Sequence, residues 1–341
     1  MNSLRLIPFF IVTIFLAGCG SVLKPEVGST ARTSAFLPTP PWRAPNVGVP
    51  LMWVADMYYM TAFSLSENGN VPPIYEVGGS HPGIDGTATA TAPNGDVYVL
   101  GTAYGGGQLD WQVLEFHADA NGDVKPFDTL NCGVSGSTNE YLAVGPHGKV
   151  AVETFATAGE IDILPAGSIG CSRGYSVITG SNTGLALAPL AIGPLGAIYT
   201  ISSTNAIIVF QPGAIGNVAP HRSIFGRHTR LAGPNGIAVD NIGRIYVSNL
   251  MDNSITVYHS NAKGDASPMQ RIMGPNTELY FPGGIAVSSD GRIFVANHSS
   301  NSITVYAAGA NGNASPIQVI AGSATGLQIT ASGTQISIAV K

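Results

Sequence analysis

The chain has 341 residues, a formal net charge of −5, and only 10% charged side chains. Its 43 glycines and 23 prolines spread turns along the whole length, which excludes a long helical protein. The negative balance excludes a basic field, so nucleic acid and anionic membrane surfaces are not expected partners.

The first element is an apolar run over residues 6–17, preceded by Arg5. It is too short to span a bilayer, which takes about 20 residues. A charged start, a short apolar core and small residues at the end form a secretory signal. The run closes on Leu16-Ala17-Gly18-Cys19, which resembles the lipobox of bacterial lipoproteins. The resemblance implies a signal peptide over 1–18 and lipid attachment at Cys19, with the membrane as partner through that lipid. Gly20 after the cysteine resembles lipoproteins exported to an outer membrane, where the cell has one. The expected location is therefore the cell envelope, facing the periplasm or the outer surface.

Residues 19–50 form the next segment. Six prolines and several Ser and Thr, with no apolar period, describe an extended tether. As a flexible coil it reaches on the order of 30 Å.

From residue 51 to 341 the chain repeats itself. "GRIYVSNLMDNSITVY" at 243–258 returns as "GRIFVANHSSNSITVY" at 291–306, with eleven of sixteen positions identical. A turn glycine marks each unit: Gly95, Gly148, Gly196, Gly243, Gly291 and Gly333, separated by 53, 48, 47, 48 and 42 residues. A period of about 40–50 residues reads as a propeller blade. Within one unit, "GIAVD", "RIYVS", "NSITVY" and "MQRIM" are four short strand-prone runs joined by turns. In "RIYVS" Ile245 and Val247 point to one face and Tyr246 to the other, so both faces are apolar. A strand apolar on both sides is covered on both sides, as in a blade packed between two neighbours.

The fold class expected is all-β, a six-bladed propeller of four-stranded blades, with seven blades as the alternative. The ends share the closing blade, here blade one. Residues 60–79 align with third and fourth strands and 326–340 with first and second, joining the termini and removing open edges. "LMWVAD" at 51–56 competes with "ISIAV" for the second-strand place.

The pattern P-x-G-I-A-V-D, G-R-I-Y-V-S-N, N-S-I-T-V-Y resembles NHL-type propeller repeats and, more distantly, gluconolactonase- and regucalcin-like propellers. The Trp-Asp dipeptide of WD repeats is absent. The gluconolactonase resemblance implies a divalent metal in the channel, held by Glu, Asn and Asp side chains. Asn235 in "GPNGIAVD" matches the family's Asn, but "FPGGIAVS" carries Gly283 where the Asp belongs, and the "EGP" motif is missing.

Eight residues before each turn glycine lie Thr87, Glu140, Ala188, Asn235, Gly283 and Thr325, one expected ring at the channel mouth. Only Glu140 and Asn235 offer good metal oxygens, and a hard cation wants six or more. No metal or cofactor is expected, and a divalent ion at Glu140 and Asn235 stays open as the weaker reading. Arg227, His228 and Arg230 form a small basic cluster on the loop entering blade five, a candidate for an anionic ligand or a solvated loop.

Asn249, Asn297 and Asp56 end "VSN", "VAN" and "VAD" runs and read as structural, satisfying backbone groups of the next loop. "DANGD" at 119–123 lacks the Gly and Glu of a calcium loop and reads as a turn. Cys132 and Cys171 fall at opposite ends of equivalent strands, too far apart for a disulfide. The function expected is a binding or scaffold propeller without catalysis, its partner an envelope protein, a glycan or a small molecule. Exposed aromatics on a ring face would favour glycan. The alternative is a lactonase-like metal-dependent hydrolase or lyase.

Overall fold

The computed structural model describes residues 50–56, 58–80, 82–105, 108–130, 138–155, 159–169, 176–329 and 335–339. The signal segment, the tether up to residue 49, Cys132, Cys171 and Gly333 lie outside the described residues.

The described residues form six four-stranded antiparallel sheets. Blades two to six each use four consecutive strands, the innermost being Ile84–Thr91, Thr138–Val144, Leu185–Ile192, Pro234–Val239 and Pro282–Val287. Each innermost strand packs against the next, and Ile336–Ala339 of blade one closes the circle. The architecture is a six-bladed β-propeller.

Strand direction gives the ring two faces. One carries the turns between first and second strands, where Gly95, Gly148, Gly196, Gly243 and Gly291 all have positive φ. The other, the crossover face, carries the connections from outer strand to next blade and the loops between second and third strands.

Packing follows the two-sided pattern of the sequence. Ile245 and Val247 of blade five join Tyr199, Ile207 and Val209 of blade four. Tyr246, between them in sequence, joins Ile285, Ile293 and Val295 of blade six. Each such fully buried side chain stabilises by roughly 1.5–3 kcal/mol, so every blade is held by both neighbours.

Blade one corrects the expected closure. Tyr59–Ser64 and Tyr75–Gly78 are its third and outer strands, as their alignment implied. Its second strand is Leu51–Asp56, paired with Ile336–Ala339 through Leu51–Ala339 and Val54–Ile336. "ISIA" is thus the innermost strand, not the second, and residues 326–329 carry no strand. Trp53, fully buried, explains the choice: "LMWVA" supplies far more apolar surface to a covered position than "ISIAV" does.

A second repeat holds neighbouring blades together. The loops before five outer strands contain Gly-Asn/Asp-x-x-Pro: 69–73, 122–126, 216–220, 264–268 and 312–316. Each glycine N–H donates to the outer strand of the preceding blade, to Val319, Glu76, Val177, Ser223 and Arg271 carbonyls, at 2.6–2.8 Å. In four of them the following Asn or Asp accepts the backbone N–H of the next crossover: Asn70 from Ala324, Asn217 from Asn182, Asp265 from His228 and Asn313 from Asn276, all at 2.7–2.8 Å. Gly69 has φ +83 and nothing within 4 Å of where a Cβ would sit, so backbone conformation alone demands glycine there. Because Gly69 and Asn70 grip blade six, this latch also closes the ring. "DANGD" belongs to one of these latches: Asn121 Oδ1 accepts Glu76 N–H at 3.0 Å.

Candidate functional site

Two concave regions matter, the central channel and a groove on the crossover face. The channel, with a volume of about 190 Å³, is lined by all six innermost strands. Among the described side chains its polar lining is amide and hydroxyl: Thr89, Thr91, Asn235, Gln335 and Ser337. Thr91 Oγ1 donates to Ser337 Oγ at 2.7 Å, which ties blade two to the closing strand.

Asn235 is half-buried in the channel wall, its Nδ2 3.5 Å from the place a Cβ on Gly283 would occupy. Glu140 stands in the innermost strand of blade three, but its side chain lies outside the described residues, as does that of Thr87. Ala188 is buried, and its N–H donates to Glu153 Oε2 at 2.8 Å. Ser248, the residue of blade five equivalent to Glu153, donates its hydroxyl to Gly283 O at 2.5 Å. In blades three and five the fifth residue after the turn glycine, Glu153 and Ser248, therefore holds the next blade's channel rim, a role the sequence did not disclose.

Thr325 leaves the expected ring. It lies in a 3-10 turn, Ser323–Thr325, with its hydroxyl donating to Gly322 O at 2.7 Å. Thr183, Thr229 and Thr277 make the same bond at the same place in their crossovers. The short last spacing of 42 residues was the visible sign that Gly333 is out of phase with the other turn glycines.

A hard dication wants six or more oxygens with several carboxylates, and the described channel lining supplies amides and hydroxyls. Among the described residues, no group of three His, Cys, Asp or Glu side chains comes together to hold a metal.

Arg227 and His228 sit in a 3-10 turn, Arg227–Thr229, and Arg230 caps it with φ +62. All three are exposed. His228 Nδ1 lies 2.6 Å from Asp265 Oδ2, while its N–H donates to Asp265 Oδ1. Desolvation pushes the Asp265 carboxyl up, but the hydrogen bonds and charge of His228 outweigh it and hold the group below its ordinary value. His228 thus belongs to a blade latch, flanked by the exposed Arg227 and Arg230.

The groove lies between blades five and six and has a volume of about 660 Å³. Asp252 and Asn253 come from the second loop of blade five, Ser300 and Ser302 from that of blade six, and Met273 to Tyr280 from the crossover between them. Asn297 braces this region from below, and Asn249 braces the equivalent crossover one blade earlier. Both are fully buried, and their Oδ1 atoms accept Ala232 N–H at 3.0 Å and Tyr280 N–H at 3.1 Å. Their Nδ2 groups donate to Thr256 and Thr304 hydroxyls. They are structural supports of the loops, in agreement with their recurrence at strand ends.

Residues 207–328 match the family described as Lactonase, 7-bladed beta-propeller. The match spans just over a third of the chain, from blade four to the crossover after blade six. It therefore reports the local grammar of these blades, while the ring itself has six. A comparison with curated proteins returns no match. Among solved structures, a protein of unknown function from Bacteroides caccae aligns at 10% identity and TM-score 0.59, covering 86% of this chain and 100% of that one. A streptogramin B lyase aligns at 15% identity and TM-score 0.52, covering 83% and 85%. A Lactobacillus plantarum protein aligns at 13% identity and TM-score 0.51, covering 80% and 82%. Likeness at these identities carries the fold alone. Among the described residues, no helix is long and apolar enough to cross a membrane.

Proposed function

We propose that this protein is a non-catalytic binding propeller of the bacterial cell envelope, anchored through lipid on Cys19, that takes its ligand on the crossover face. One observation carries the reading. Blades five and six are nearly identical where they build the scaffold, and one variable loop position of each, Asp252 and Ser300, lines the 660 Å³ groove together with Glu278 and Tyr280, which replace Arg230 and Ala232 of the preceding crossover. Among the described side chains the channel lining is amides and hydroxyls, which supports binding over hydrolysis, since hydrolysis calls for a polarising metal or paired acid and base groups. No cofactor is needed for this role. The NHL-type repeat pattern supports it too, as a scaffold whose loops carry the specificity.

Two measurements test it. Radiolabelled palmitate is incorporated into the wild type and lost in Cys19→Ser; equal labelling removes the anchor. Purified protein shows no turnover of γ- and δ-lactones with added calcium, magnesium or zinc. Turnover abolished by Glu140→Ala and Asn235→Ala would overturn the binding role. It would establish the lactonase-like alternative, which the family match over 207–328 favours.

A further inference from the structure

The geometry points to a saccharide as the ligand of the groove between blades five and six, with a sugar ring stacked on Tyr280 and its hydroxyls bonded to Glu278, Asn253 and Ser300. This rests on the reading that the crossover face binds a ligand. Size selects the groove over the channel. Small-molecule sites run from about 300 to 1,000 Å³; the groove has about 660 Å³ and the channel about 190 Å³.

Tyr280 lines the groove as an exposed aromatic on a rigid mount, with Phe281 beside it. Tyr280 is 56% and Phe281 43% exposed, with ring centroids 5.9 Å apart in an edge-to-face arrangement. Their backbone is pinned, Tyr280 N–H to Asn297 Oδ1 and Phe281 N–H to Asn253 Oδ1 at 2.8 Å. Phe281 has φ +51, a conformation in which a bulky side chain is an outlier. The equivalent residue of blade five is Gly233, at φ +61. Blade six therefore carries an aromatic where the scaffold accepts glycine, and Phe281 acts as a positioning residue that holds the Tyr280 ring edge-on. Strain kept at one blade and absent from its twin marks a site of use rather than of support.

The polar groups match a neutral polyol. Asp252 is already engaged by Arg271 at 2.7 Å and Ser254 at 2.6 Å. Glu278 is exposed and has no ion-pair partner among the described residues, so it offers two acceptor oxygens. Asn253 has its oxygen committed to Phe281, which leaves its NH₂ as a donor. Ser300 and Ser302 share a hydroxyl bond at 2.8 Å. A pyranose has one apolar C–H face and a hydroxyl edge, so it can cover the aromatic ring while its edge meets the carboxylate and amide. An anionic ligand would meet Glu278, and a wholly apolar one would desolvate it without compensation.

The test is calorimetric titration of the detergent-solubilised full chain with maltotriose, cellotriose, chitotriose and, separately, hexalysine. One trisaccharide binds, Tyr280→Ala weakens it at least about tenfold, and Glu278→Gln does so by a similar factor. Phe281→Gly weakens it several-fold with an unchanged melting temperature, which separates lost binding from lost folding. No binding of any trisaccharide up to about 10 mM, or equal binding by Tyr280→Ala, overturns the inference. Hexalysine binding that Glu278→Gln abolishes, without sugar binding, also overturns it while leaving the binding role intact. Lactone turnover in place of any binding removes both.

Discussion

The crossovers into blades five and six are one backbone carrying two chemistries. Arg230 and Glu278 share the left-handed conformation at φ +62 and +57, and Gly233 and Phe281 share it at +61 and +51. Leu250 N–H donates to Gly233 O as His298 N–H does to Phe281 O, at 2.9 and 3.2 Å. Between these fixed points Arg-Leu-Ala-Gly in one blade becomes Glu-Leu-Tyr-Phe in the other. In blade five Met251 covers the glycine, its Cγ 2.6 Å from where a Cβ on Gly233 would sit, so that site is closed to a larger residue. In blade six a serine replaces the methionine and the aromatic pair stands exposed. The scaffold is written in backbone bonds and buried Asn, which frees the outward side chains to vary.

The comparison breaks hardest in blade three, where Asp162 occupies the third-strand position of Thr256 and Thr304. Those threonines accept a bond from Asn249 or Asn297; blade three has Thr154 in place of the Asn. Asp162 is buried, and among the described residues its Oδ1 has no hydrogen-bond partner. Burial, then the nearby charge of Glu160, pushes its carboxyl up to about 7. The folded state keeps this proton where the unfolded chain has lost it. Stability is therefore fully present below about pH 4, falls as pH rises toward 7, and levels off above. Asp162→Thr, which restores the residue of the other blades, should remove that slope and stabilise the protein at pH 8 by at most about 4 kcal/mol. Urea unfolding of both proteins at pH 5 and pH 8 measures it; parallel pH slopes would show that Asp162 is ionised in the folded state.

The second largest effect tests what the two blades share. Asn249→Ala and Asn297→Ala each strand a part-buried backbone N–H and remove the donor to a buried threonine hydroxyl. Each should cost about 3 kcal/mol, with equal shifts in urea midpoint at constant m. A much smaller loss for one would mean that its loop is supported by something the other lacks.

Asn70→Ala and Asn313→Ala sharpen the comparison further, because one latch closes the ring and the other joins blades continuous in sequence. Each removes a side-chain acceptor from a crossover N–H, a loss of about 1 kcal/mol as for helix caps. Equal values in denaturant unfolding mean that the noncovalent closure is as tight as a covalent joint. A larger value for Asn70→Ala would locate the weak seam of the ring.

The blade count, the two faces of each strand and the structural role of Asn249 and Asn297 were legible because repetition multiplies a weak local signal. The closing strand was not. "ISIAV" and "LMWVAD" both fit a second strand, and only the burial of Trp53 decides between them. Thr325 was misplaced for a related reason, since its phase was counted from Gly333. The latches escaped notice because Gly-Asn-x-x-Pro looks like ordinary turn composition, and its partners are backbone groups of another blade. The aromatic pair was invisible as a site, since Tyr-Phe in an apolar context reads as core until exposure is known.

The smallest stability effect distinguishes use from support most sharply. Phe281→Gly relieves left-handed strain of about 1–2 kcal/mol and loses the partly buried ring, while glycine adds about 0.5–1 kcal/mol of unfolded-state entropy. These terms nearly cancel, so the variant should stay within about 1 kcal/mol of the wild type. The converse, Gly233→Phe, must displace Met251 and should destabilise by about 1–3 kcal/mol. If both substitutions cost the same, Phe281 is a packing residue and the two crossovers are equivalent. If only Gly233→Phe costs stability, the aromatic in blade six is tolerated by the fold without being required by it.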